Sequence, residues 1–227
     1  MIKFSLLLIG IALFASVALA QNVKISIDSP PALNDRKAIL LTREKGFAAI
    51  VHSIQLGFDT THLKMDPNLL PDLYQLQVSK LKGSLTFFFE SGTRIRLDTA
   101  NVARSAVTHS RSNTEWQQFT DSIQKPSDIR ANAYLVQEAR MRRKNLPDSV
   151  NYWIACQNQE REALLAKTAS FIRTNPQSYV SLYLLKINWY AFKNMGLLEQ
   201  LDSSLSKHRN YLLLKANKHE ITGARQK

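Results

Sequence analysis

Cysteine occurs once among the 227 residues, at Cys156. A single thiol excludes an internal disulfide, and with it a dithiol redox cycle within the chain. Glycine is scarce too: beyond residue 20 it stands only at Gly46, Gly57, Gly83, Gly92, Gly196 and Gly223. These are isolated, so there is no glycine-rich phosphate cradle, and neither a GxSxG nucleophile elbow nor an HExxH zinc motif is present. Acidic residues number 18 against 30 lysines and arginines, a formal charge of +12. That excess favours anionic partners but argues about association, not fold. A solvated basic surface is expected, with polyanion binding as an alternative. Nucleic acid is not an expected partner, because no known reading module or aromatic platform accompanies the charge. After residue 20 no apolar run is long enough to span a bilayer.

The first twenty residues read as a targeting segment. Lys3 precedes an apolar run over residues 4–17, and Ala18-Leu19-Ala20 supplies the small-x-small pattern of a cleavage site. Residues 1–20 are therefore expected to be a signal peptide cut before Gln21. With no cysteine near the cut, a lipid anchor is not expected. The mature chain is expected to be periplasmic or secreted.

Residues 21–111 read as a β-rich domain. Residues 22–28 alternate Val23, Ile25 and Ile27 against Lys24 and Ser26, until Pro30-Pro31 ends the strand. Residues 37–43 are β-prone, and 44–46 form a turn. Residues 47–56 place Ala48, Ile50, His52, Ile54 and Leu56 on one side. A weaker strand over 58–65 and a proline-marked connection over 66–71 follow, and residues 72–80 alternate Tyr74, Leu76 and Val78. The densest signal is 83–99, GSLTFFFESGTRIRLDT. Leu85, Phe87 and Phe89 share one face, and Ile95 and Leu97 share another, around Glu90-Ser91-Gly92-Thr93. Period two on either side of a glycine-bearing loop predicts a hairpin. Residues 106–108 offer a last short strand. An antiparallel sandwich or open barrel is expected.

Residues 112–227 read as a helical domain, making the fold class α+β. Ser112 with Glu115 three residues later suggests a capping box, and Trp116, Phe119 and Ile123 line one face. A second helix over 127–146 carries Ile129, Ala133, Val136, Ala139 and Arg140 near one stripe and ends in Arg142-Arg143-Lys144. The longest helix spans 148–174. Residues 178–192 form a buried helix on the repeats Val180–Leu184–Ile187 and Tyr183–Ile187–Tyr190. Helices over 197–205 and 207–219 complete a bundle, with Leu198, Leu201 and Leu205 in one row.

No residue is assigned a catalytic, cofactor-binding or metal-ligating role. Cys156, mid-helix beside Trp153 and Ile154, reads as a small hydrophobe at a core edge. His52, His62, His109, His208 and His219 form no spaced pair of the kind zinc uses. His52 reads as a core histidine, while His208 and His219 lie among lysines and read as solvated. Glu90 reads as a turn residue in water. In Phe87-Phe88-Phe89 the outer two face the sheet core, and Phe88 is left for contact with the helical half. Tyr183, Trp189, Tyr190 and Phe192 read as bundle core.

The order Asp28-Ser29, the aromatic strand 85–90, Gly92, the strand 95–97, then Ser112-Asn113 with Trp116 and Phe119, resembles an N-terminal β-rich module of unknown function. That module is found in exported thiol:disulfide interchange proteins with an AhpC/TSA- or TlpA-like thioredoxin domain. Asn175-Pro176-Gln177-Ser178 is similar to a segment of their helical spacer. The relatives' dithiol has no counterpart here. The resemblance therefore implies a non-catalytic binding or scaffold module, with a separate thioredoxin-like chain as its partner in the cell envelope, docked through the basic C-terminal helices. The alternative from another class is an enzyme with an unrecognised hydrolytic site near Glu90 or His52.

Overall fold

The computed structural model describes residues 23–44, 47–65 and 71–223. The expected signal peptide and most of the 44–46 turn and of the 66–71 connection lie outside them. Among the described residues the first half holds β1 (Val23–Asp28), β2 (Lys37–Glu44), β3 (Phe47–Gln55), β4 (Thr61–Met65), β5 (Asp72–Val78), β6 (Leu85–Phe89), β7 (Arg94–Arg96) and β8 (Ala106–Thr108). They form two four-stranded sheets, ordered β4-β1-β7-β8 and β3-β2-β5-β6. Pairing is antiparallel except between β1 and β7, which run parallel. The inward residues of both sheets, among them Ile25, Ile27, Leu63 and Ile95 against Leu40, Leu76, Phe87 and Phe89, make one buried cluster. The first half is a β-sandwich.

The expected hairpin at 83–99 is not formed. β6 pairs with β5, whereas β7 pairs with β1 and β8, so the two strands lie in opposite sheets. The link arches over the sandwich edge and is stitched to β1. Gly92, at φ +83°, donates its N–H to Lys24 O at 3.0 Å, and Ser26 N–H donates to Thr93 O at 2.9 Å. Alternation reports which face of a strand is dry, not which strand lies beside it. Both strands do face one core, but from its two sides.

A bulge corrects β3. The register pairs Leu40 with His52 but Leu41 with Ile50, leaving Val51 as the extra residue. The expected shared face holds from His52, half-buried, to Ile54 and Leu56, while Ile50 turns outward.

The helices are α1 (Arg111–Phe119), α2 (Lys125–Arg143), α3 (Pro147–Thr174), α4 (Tyr179–Ile187), α5 (Trp189–Phe192), α6 (Leu197–Gln200) and α7 (Arg209–Gly223), of which α1 packs on β6 and α4 on β5 of the second sheet. The N-cap of α1 is Ser110 rather than Ser112, its hydroxyl accepting from Asn113 N–H. Glu115, expected to close a capping box, bonds Arg111 and the Ser178 hydroxyl instead. The helix does not break at Pro126. A widened π turn over Thr120–Gln124 joins α1 to α2, a geometry suited to a proline that lacks an N–H to donate. Phe119, Ile172, Leu184, Leu185, Trp189, Phe192, Leu198, Leu201, Leu205 and Leu214 form a second core, and Phe88 from β6 belongs to it.

Val180, Leu184, Trp189 and Phe192 are buried as expected, but parts of two expected stripes face water. Asn188 interrupts the run between α4 and α5, and Ile187 and Tyr190 stand 54% and 85% exposed. On α2, Ile129 and Val136 are 71% and 57% exposed, because α3 packs on the opposite face of that helix.

Candidate functional site

The sheet meets the helices at the N-terminal end of β5. Asp72 is buried there, and its carboxylate accepts from Lys186 Nζ of α4 at 2.8 Å, from Asn210 Nδ2 of α7 at 3.0 Å and from the Leu73 N–H at 2.8 Å. His208 sits beside it. Its Nδ1 accepts from Asn210 N–H at 3.1 Å, which puts the neutral ring's proton on Nε2, donating to Pro71 O at 3.0 Å. The ring lies 5.6 Å from that of Tyr179. Burial pushes the imidazole pKa below its ordinary value near 6.5, and the Asp72 charge pulls the other way. The expectation of a solvated His208 is therefore wrong. Neighbouring lysines in sequence say nothing of what the turn before α7 packs against.

At the other end of the junction Glu90 caps α1. Its carboxylate accepts from Ser110 Oγ at 2.5 Å, Ser112 N–H at 3.0 Å and Ser112 Oγ at 3.2 Å, so an anion meets the positive end of a helix. The expectation of a turn residue in water is overturned. Asn113, one residue on, closes the free edge of β6: Phe88 N–H donates to its Oδ1 and its Nδ2 donates to Phe88 O, both at 2.8 Å. A single amide thus replaces a missing neighbour strand. Phe88 itself packs edge-on against Trp116 and Tyr183, with centroids 5.9 and 5.8 Å away, fulfilling its expected contact with the helical half.

Two of the concavities among the described residues bear on the junction and the bundle. A polar one of about 230 Å³ opens between β5 and α4, with Gln75, Thr86, Tyr183, Asp72 and Lys186 in its wall. Its carboxylate is engaged by two cationic or amide donors and a backbone N–H, the role of a strut between elements. The second is an apolar groove of about 390 Å³ between α3 and α4–α5, walled by Leu164, Leu165, Leu184, Ile187 and Tyr190 with Arg161 at its side. Its volume and its apolar wall with few polar groups match what binding clefts offer.

The other histidines and the cysteine are not brought together. His52 lies in β3, His62 in β4 with Nδ1 3.3 Å from Ser26 Oγ, and His109 after β8 at φ +57°. The His219 side chain lies outside those described. Cys156 is half-buried on α3 and close to the Tyr152 hydroxyl, which it holds above the usual phenol range. Among the described residues no three His, Cys, Asp or Glu side chains cluster as a metal site would need. Sequence reasoning missed Asp72, Lys186, Asn210 and Asn113. The signal was present for two of them: Asp72 opens the alternating face of Tyr74, Leu76 and Val78, and Asn113 lies three residues before Trp116 on its helical face.

Compared with family models, with curated proteins and with solved structures, the chain matches none. Among the described residues no helix is long and apolar enough to cross a membrane.

Proposed function

We propose that this is an exported, non-catalytic binding module whose helical half docks a partner protein in the groove between α3 and α4–α5. One observation carries the reading. Ile187 and Tyr190, which an ordinary bundle would turn inward, stand on the rim of an apolar groove that the other described residues leave open. Large apolar residues around a concavity are what a docking surface offers a partner's apolar side chains. The buried polar groups of the junction are meanwhile engaged in holding sheet to bundle. The resemblance to modules joined to thioredoxin domains, together with the lone Cys156, suggests a separate thioredoxin-like chain as that partner.

Ile187→Glu tests this. It places a charge on the groove rim at an exposed position, so the fold is retained. Capture of a thioredoxin-domain protein from envelope extract by the unaltered protein, and its loss with Ile187→Glu, is the expected result. Equal capture by both, or none by either, contradicts the reading.

A further inference from the structure

In the α2–α3 hairpin, α2 turns several of its charged side chains toward α3 and an apolar stripe outward. Between the helices charges and amides flank the stacked rings of Tyr134 and Trp153, 5.9 Å apart: Glu160 of α3 accepts from Ser127 Oγ at 2.7 Å and from Arg130 Nε and Nη2 at 2.8 Å, and Glu138 of α2 accepts from Gln157 of α3 and from Arg142 of its own helix, both at 2.7 Å. Outward, α2 presents Ile129, Ala133, Val136 and Ala139, all exposed. Ile129, Val136 and Arg143 are spaced by seven, and Ala133 and Ala139 fill the intervening turns, the spacing of a two-helix seam. Small residues between the two larger ones let a second helix approach closely.

We propose that this stripe pairs with the same stripe of a second copy, antiparallel, with Val136 on the two-fold axis. The charges select that occupant and that direction. In a parallel pair Arg140 and Arg143 would face their own copies, a like-charge contact. In the antiparallel pair each Ala133 faces Ala139, and Arg143 of one copy comes level with Ile129 and Asp128 of the other. Asp128 and Arg143 are exposed, and neither has an ion-pair partner among the described residues. The surface is thus complementary to itself about a two-fold, as a symmetric dimer requires. The seam is short, well below a standard interface, so the dimer is a weak, concentration-dependent one.

Cysteine placement decides it. In a Cys156→Ser background, Val136→Cys puts two thiols across the axis, and mild oxidation is expected to give a disulfide-linked dimer. Ala133→Cys alone gives none, because its opposite number is residue 139, whereas Ala133→Cys with Ala139→Cys does. Crosslinking by Val136→Cys and Ala133→Cys alike indicates a parallel or random encounter and overturns the proposal, as does crosslinking by neither. Sedimentation equilibrium of the uncrosslinked protein up to about 1 mM is expected to show self-association that Val136→Glu removes. A monomer throughout, or association untouched by Val136→Glu, contradicts it.

Discussion

The Asp72 carboxylate and the Lys186 ammonium, 114 residues apart in the chain, meet at 2.8 Å where β5 enters the sandwich and α4 crosses it. The pair is largely withdrawn from water, with side-chain exposures of 5% and 20%. Removing one partner of such a pair strands the other. Lys186→Met is expected to lower unfolding stability by about 3 kcal/mol, while Asp72→Asn with Lys186→Met loses less than the two single changes together. Urea unfolding of the three variants measures both statements.

His208 sets the pH limb nearest neutrality. Its folded pKa lies below its unfolded value near 6.5, so the unfolded chain binds the extra proton. Stability is full above that value and falls as pH drops below it. His208→Gln, which retains an amide donor for Pro71 O, is expected to flatten the dependence just below pH 6.5. Glu160, held down to about 2 by Arg130 and Ser127, adds a separate limb: its contribution is present above 4.5 and lost as pH falls toward 2. Thermal melts across pH, with and without His208→Gln, separate the two.

Asn113 does for β6 what a neighbouring strand would do. Asn113→Ala leaves the Phe88 N–H and C=O buried without partners, and a loss of about 2 kcal/mol or more is expected. Ser110→Ala removes the N-cap hydroxyl of α1 and a donor to Glu90, and about 1 kcal/mol is expected. Chemical denaturation gives the order, Asn113→Ala being the more damaging.

Gly83 holds φ +73°, and a Cβ there would run into Asn101 Oδ1, the acceptor for Ala103 N–H. Gly83→Ala is expected to destabilise by about 1–3 kcal/mol, and more than Gly57→Ala, where the φ is not left-handed and the space is open. Paired melting curves test the difference.

The α+β division was legible because periodicity changes from two to nearly four after residue 108, and each half obeys its own period. Phe88 was legible for the same reason, since Phe87 and Phe89 had to share the other face. What failed was partnership between elements. The alternation of 85–89 and 95–97 could not say that their strands belong to different sheets. The stripe of Ile129 and Val136 could not say that α3 would choose the opposite face, where Glu160 and Glu138 find their cations. Asp72, Lys186 and Asn210 share no local pattern; only folding brings them together. The groove was hidden because Ile187 and Tyr190 fit a buried repeat, and Asn188 turns the helix between them.

Site-specific photo-crosslinking probes the proposed docking groove between α3 and α4–α5 directly. A photoreactive residue at Tyr190 is compared with one at Phe58, an exposed aromatic of the β half at 77% exposure and outside the groove. An adduct with a thioredoxin-domain protein is expected from position 190 and none from position 58. Equal labelling from both positions, or none from position 190, would contradict docking in the groove.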